Sequence, residues 1–201
     1  MSTMTSPDAK ADLQRYLQSA RDALLWKLEG LSEYDVRRPM TATGTNLLGL
    51  VKHLAHVELG YFGETFGRPV PEAVGWIEDD GSDPNWDMWA TAAESRDEIV
   101  GMYRGAWAHA DATIAALPLD APGRVPWWPG DRASVTLHRV LVHVIAETDR
   151  HAGHADVVRE LIDGAAGLRP GNDNLPDGAD QDWWARYRDR LEQAAREAGT
   201  A

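Results

Sequence analysis

The chain has 201 residues, of which 43% are hydrophobic and 26% are charged, as is usual for a globular protein. Its formal net charge of -12 argues against a nucleic-acid backbone or an anionic membrane surface as a partner. It has no cysteine, which excludes disulfides, thiolate metal sites and a cysteine nucleophile, and the lack of an apolar span or leader pattern predicts a cytoplasmic location.

Hydrophobic periodicity predicts an all-α fold without strands. In chain order, we expect helices over residues 8–30, 45–66, from Met88 or Ala92 to Leu117, 134–163 and 183–198, separated by irregular segments at 32–44, 67–86, 118–131 and 168–182. The segment 67–86 is long for a connection and contains an acidic run at 78–80. We therefore expect a four-helix bundle with a long crossing loop, in a single domain over residues 1–201 with its core at about 8–165 and a C-terminal extension at 166–201.

The fourth predicted helix carries the strongest chemical signal. His143, Glu147, His151 and His154 recur three or four residues apart, so all four side chains share one face of the helix. Several aliphatic residues of the same helix lie within about 60° of Glu147 on a helical wheel. Burying ionisable groups in an apolar stripe is costly unless they pair or bind a cation, which indicates a metal site in the bundle interior.

The second predicted helix adds His53, His56 and Glu58. On a helical wheel His53 lies at the edge of the apolar stripe and His56 nearly opposite it, so His53 is the better placed to reach an interior site. Glu58 lies near the centre of the stripe. We interpret it as a carboxylate that extends to solvent, as a partner of a metal ligand, or as an additional ligand.

A three-ligand site therefore has candidates on two helices. Glu147 and His151 come from one helix and His53 from the other, and three protein ligands leave a position open to water or substrate. A set of two histidines and one glutamate without sulfur suits zinc, and it also admits nickel, iron, cobalt or manganese.

The two motifs GLVKHLAHVELGYF and LVHVIAETDRHAGHADVVRELIDG, about 80 residues apart, resemble the DinB-like superfamily. That superfamily includes mycothiol-dependent enzymes such as maleylpyruvate isomerase, and the chain looks most like its small actinobacterial members. The resemblance spans residues 10–165. It implies His53, Glu147 and His151 as the metal ligands, leaves His143 and His154 outside the ligand set, and implies a homodimer; a glutamate at position 147 is the form found in mycothiol-linked relatives.

Three functions are compatible with these residues. The first is a metal-dependent thiol S-transferase or isomerase in detoxification or catabolism, in which mycothiol attacks a small electrophile. The alternatives are a non-catalytic metal-binding stress-response protein and a metal-assisted hydrolase, for which Glu58 is the nearest candidate base.

Several side chains are candidates for the surroundings of the site. His143 is either a buried, hydrogen-bonded histidine or a group that orients Glu147. Trp127 and Trp128 either fill packing or line a substrate cleft. Arg150, and Arg132 or Arg139, either form ordinary salt bridges or meet an anionic cosubstrate.

Overall fold

Four long helices make up the larger of two structural units. The computed structural model describes residues 8–75, 81, 83–173 and 175–199, and the two units comprise residues 1–166 and 167–201. The long helices of the first unit are α1 (Ala9–Trp26), α3 (Leu47–Phe62), α4 (Arg96–Ala116) and α5 (Leu137–Asp163), with the short α2 (Glu33–Arg37) after α1. The all-α class is thereby confirmed.

Polar side chains fix where the long helices begin. Asp8 caps α1, Asn46 caps α3 and Thr136 caps α5, in each case by accepting hydrogen bonds from backbone amides of the first turn. Ser95 and Glu98 form a reciprocal capping box at the start of α4. The prediction that this helix begins at Met88 or Ala92 is therefore wrong, because the preceding residues form a loop that packs on α3.

A small hairpin contradicts the expected absence of strands. Strand β1 (Pro122–Arg124) pairs antiparallel with β2 (Ser134–Thr136), with Gly123 opposite Val135. A Cβ on Gly123 would lie 2.6 Å from Phe66 Cε1, so the hairpin approaches the 3-10 helix Glu64–Phe66, just after α3, closely. Three-residue strands are too short to give an alternating pattern, which explains why the sequence does not reveal them.

Helix α3 lies at the centre of the unit. It packs against α4 and α5, α1 packs on α5, and 14 of the 16 residues of α3 are buried. A helix that is covered on all sides has no solvent face. The prediction that His56 points away from the core is therefore wrong. Its ring is buried against Trp86, with centroids 4.5 Å apart, and its Nδ1 lies 2.8 Å from the Lys52 carbonyl oxygen.

The connection between α3 and α4 is longer than predicted. It covers residues 63–95 and contains two short 3-10 helices, Glu64–Phe66 and Glu72–Val74. The acidic run at 78–80 lies outside the described residues. None of the described helices combines the length and apolar character needed to cross a membrane.

The second unit, residues 167–201, contains helix α6 (Gln181–Ala198), which begins at the capping residue Asp180. On α6 the rings of Trp183 and Tyr187 stack with centroids 5.2 Å apart. The division of the chain into one bundle domain with an extension stays a prediction.

Glu58 forms a buried ion pair instead of extending to solvent. Its Oε1 and Oε2 accept from Nε and Nη2 of Arg21 on α1, at 2.9 and 2.5 Å, and both side chains are almost fully buried. Arg21 also donates to Asp111 of α4 at 3.0 Å. Since Arg21 occupies both carboxylate oxygens, Glu58 joins α1 to α3 and is not available as a metal ligand or a base.

The Glu58→Ala variant is expected to lose about 3–5 kcal/mol of unfolding free energy, because it leaves Arg21 buried with a half-exposed Asp111 as its remaining carboxylate. Urea unfolding followed by circular dichroism measures the loss. The double variant Arg21→Met/Glu58→Leu removes both charges and should recover most of it. A single variant as stable as the natural chain would contradict this role.

Candidate metal centre

His53, Glu147 and His151 come together between α3 and α5. One candidate ligand atom from each residue lies within 4.8 Å of the other two. His151 Nε2 is 3.1 Å and His53 Nε2 is 3.8 Å from Glu147 Oε1, and the two imidazole rings are 4.9 Å apart. The spacing of four residues places Glu147 and His151 on successive turns of α5, and the packing of α3 on α5 supplies His53.

The donor atoms of this triad suit a divalent cation. Two atoms that each lie roughly 2.0–2.2 Å from one zinc ion are about 3–4 Å apart, similar to the observed distances. In addition, Nδ1 of His151 is buried and has no hydrogen-bond partner among the described residues. This is the ring nitrogen that does not face Glu147, so an ordered water is its expected partner.

Glu147 and His151 also have the protonation states that a metal requires. Burial opposes ionisation of Glu147, but the charge and hydrogen bond of His151 and the charge of His53 outweigh it and lower the pKa of the carboxyl. Burial and the charge of His53 lower the pKa of His151, more than Glu147 raises it. The carboxylate is thus ionised and the His151 imidazole neutral near pH 7, the forms that bind metal.

Asp87 is a member of the site that the sequence does not reveal. Its Oδ2 lies 2.7 Å from His53 Nδ1, which leaves Nε2 of the same ring to face Glu147. Burial raises the pKa of Asp87, but the hydrogen bond and charge of His53 outweigh this effect and lower it. A loop carboxylate 34 residues from its partner has no fixed spacing that a sequence pattern can detect.

Lys52 holds the loop that carries Asp87 in place. Its buried ammonium group donates to the carbonyl oxygens of Trp86 and Trp89, at 2.9 and 3.1 Å, and lies 2.7 Å from Glu94 Oε1. These contacts fix the backbone on both sides of Asp87. Lys52 thereby positions the partner of His53 without touching the triad.

The start of α3 binds the same loop at a second point. Asn46 Nδ2 donates to the Met88 carbonyl oxygen at 3.1 Å. A Cβ on Gly49 would lie 1.8 Å from that oxygen, so glycine is required for the loop to approach the helix. The position of Asp87 is therefore determined by backbone contacts of its neighbours.

An aromatic cluster adjoins the triad one turn earlier on α5. The His143 ring lies 4.7 Å from Tyr61 and 5.1 Å from Trp128, and Trp128 Nε1 donates to the Tyr61 hydroxyl at 3.1 Å. Trp127 lies 5.1 Å from Tyr61 and is 49% exposed. Burial lowers the pKa of His143. The hairpin loop thus places an aromatic wall beside the candidate centre.

The remaining predicted site residues lie at its rim. His154 is exposed, and its ring is 5.3 Å from that of His151. Arg150 is also exposed, and its charge contributes to the lowered pKa of Glu147. Among the described residues, neither joins the cluster of candidate ligand atoms.

Replacing Asp87 is expected to weaken metal binding. In Asp87→Asn the hydrogen bond to His53 is no longer charge-assisted, and the His53 ring loses its preferred orientation. The affinity for zinc should therefore fall by about 10–100-fold. Competition with a chromogenic chelator measures the affinity, and Asp120→Asn, an exposed loop change, is the control. Equal affinities in the two variants would exclude an orienting role for Asp87.

The ion pair of Lys52 and Glu94 predicts how stability depends on pH. Partial burial raises the pKa of Glu94, but hydrogen bonds from Lys52 and Thr91 outweigh it, so the pKa lies below its ordinary value. A lowered carboxyl pKa stabilises the fold above the unfolded-state pKa of about 4.3, and this contribution is lost as pH falls through the folded-state pKa.

Glu94→Gln should therefore destabilise the protein at pH 7 and reduce the loss of stability between about pH 5 and pH 3. Thermal unfolding across this range measures the effect, with the exposed Glu160→Gln as control. A Glu94→Gln protein with an unchanged pH profile would show that the pair does not stabilise the loop.

Comparison with known proteins agrees with this architecture. A family model described as mycothiol-S-transferase matches residues 12–164, from the first turn of α1 to the end of α5, and so includes the triad. No curated protein matches the chain. The match confirms the resemblance to the DinB-like superfamily. Because it covers well over half of the sequence, the chain belongs to the mycothiol-S-transferase family.

Proposed function

We propose that this protein is a metal-dependent S-transferase that joins a mycothiol-type thiol to a small electrophile, with His53, Glu147 and His151 as the metal ligands. The observation that carries the proposal is the convergence of these three donors between α3 and α5, in a member of the mycothiol-S-transferase family. Zinc is the metal we expect first, and nickel, iron, cobalt or manganese also suit the donors.

The reaction needs an activated thiol from outside the chain, because the sequence has no cysteine. A divalent cation in this site would lower the pKa of a thiol that binds to it. The thiol sulfur forms a bond to a carbon of the electrophile, the leaving group departs with the electron pair of its bond, and the thiol proton passes to solvent. The overall products are a thioether, the leaving anion and a proton.

The chain's own residues would place the reactants. Asp87 fixes the orientation of the His53 ring, and the ionised Glu147 supplies negative charge to the site. The side chains of His53 and Glu147 are 20% and 26% exposed, so small molecules can reach them from solvent. Tyr61, His143 and Trp128 supply aromatic surface on one side.

The alternatives differ in how much support remains for them. Hydrolysis needs a base beside the bound water, and Glu58, the candidate for that role, is buried in its pair with Arg21. A non-catalytic metal-binding protein would use the same triad and is separated by a turnover assay. The homodimer and the cytoplasmic location remain predictions.

The ligand assignment is tested by the metal content of purified proteins. His53→Ala and His151→Ala are expected to lose bound metal, measured by plasma mass spectrometry after dialysis. His154→Ala is the matched control, since His154 lies one turn from His151 and is exposed, and it should keep its metal. Equal metal content in all variants would rule out this ligand set.

Activity is tested by offering the metal-loaded protein mycothiol with a chloronitrobenzene or a halobimane. We expect thioether formation that falls to the level of the metal-free protein in His53→Ala. Absence of turnover in a protein with confirmed metal content would favour the non-catalytic alternative.

A further inference from the structure

A groove with an unusual combination of side chains adjoins the candidate centre. Its volume is about 520 Å³, within the range of small-molecule sites. Trp128 from the hairpin loop forms one wall, and Val142 and Ala146 on α5 supply apolar surface. His143, which also lines the groove, lies one helical turn before Glu147 on the same face of α5, so the groove extends towards the turn that carries the triad.

His143 connects the groove to the aromatic cluster. It lines the groove, its ring contacts both Tyr61 and Trp128, and it precedes Glu147 by one helical turn. A molecule lying along the groove therefore has one end at His143, one helical turn from Glu147. The other end lies at the start of α5 and the end of the hairpin loop.

That outer end is cationic. Arg132 and Arg139 both line it and are exposed, and the Arg139 guanidinium lies over the Trp128 ring at 5.2 Å from its centroid. Arg139 Nη1 also donates to the Ser134 carbonyl oxygen at 3.4 Å. Within the described part of the chain, neither guanidinium forms an ion pair with a carboxylate. The interpretation of these arginines as salt-bridge partners is thus not supported, even though the protein has a net charge of -12.

We propose that this groove binds the carboxylate of an electrophile with an aromatic or other flat apolar skeleton, through Arg139 and Arg132. The inference rests on the proposed function for the reaction at the triad. Guanidinium groups form charge-assisted, bidentate hydrogen bonds with carboxylates, and Arg139 is already oriented by its stacking on Trp128. Trp128, Val142 and Ala146 then contact the skeleton, and the reacting carbon points towards Glu147.

Two electrophiles that differ only at the carboxyl group test the proposal, each compared between the natural chain and its variants. They are 4-chloro-3-nitrobenzoate and its methyl ester, each assayed with mycothiol and the metal-loaded protein. In Arg139→Gln, kcat/KM for the acid is expected to fall about tenfold or more, while the value for the ester changes little. Arg132→Gln should act in the same direction, and Arg139→Lys should restore part of the loss.

Arg104→Gln, an exposed change on α4 away from the groove, is the matched control and should leave the ratio of acid to ester unchanged. Thermal unfolding of each variant verifies that it folds. An equal loss for acid and ester in Arg139→Gln would overturn the proposal.

A binding measurement separates this inference from the proposed function. Titration calorimetry with unreactive 4-nitrobenzoate and its methyl ester requires neither metal nor thiol. Tighter binding of the acid that is lost in Arg139→Gln supports the carboxylate site, even if no electrophile is turned over and the proposed function fails. Equal binding of acid and ester by the natural chain would overturn the site and leave the S-transferase proposal intact.

Discussion

The cost of burying charged groups on α3 determines how this protein is assembled. Between Lys52 and Glu58 this helix carries two acidic or basic side chains and two histidines, although nearly every residue of the helix is covered. A buried charge without a partner costs several kcal/mol, so Lys52 and Glu58 each require a partner from another element. The partners of Lys52, His53 and Glu58 lie on α1, on the loop before α4 and on α5. Together these contacts fix how the three elements pack against α3.

Each of these pairings has a different structural result. The Glu58 pair with Arg21 attaches α1. The Lys52 contacts attach the loop before α4, and that loop delivers Asp87 to His53. The triad differs from the other two, because among the described residues the Glu147 carboxylate pairs with two histidines and with no lysine or arginine. The structural pairs are complete within the chain, whereas the triad has the donor set of a site that is completed by an added ion.

Short-range periodicity predicts much of the fold and part of the site. The four-residue spacing of Glu147 and His151 is a local property of a helix, and His53 follows from its place on the second helix. The orientation of His56 and the role of Glu58 could not be predicted, because a wheel drawn for one helix does not include the loop or the arginine that covers it. Asp87 and the hairpin depend on long-range contacts that leave no periodic signal.

The contrast between helices and connecting segments also bears on which electrophile the protein accepts. Two helices hold the triad, and the connecting segment before α4 contributes Asp87, which orients His53. Trp128, in contrast, belongs to the loop between β1 and β2, and loops vary more readily than the helices they connect. If the triad supplies the chemistry shared by the family, we expect the hairpin loop and the first turns of α5 to select the electrophile. In our proposal the triad supplies the thiol chemistry, while the charge and shape of the groove select what that thiol attacks.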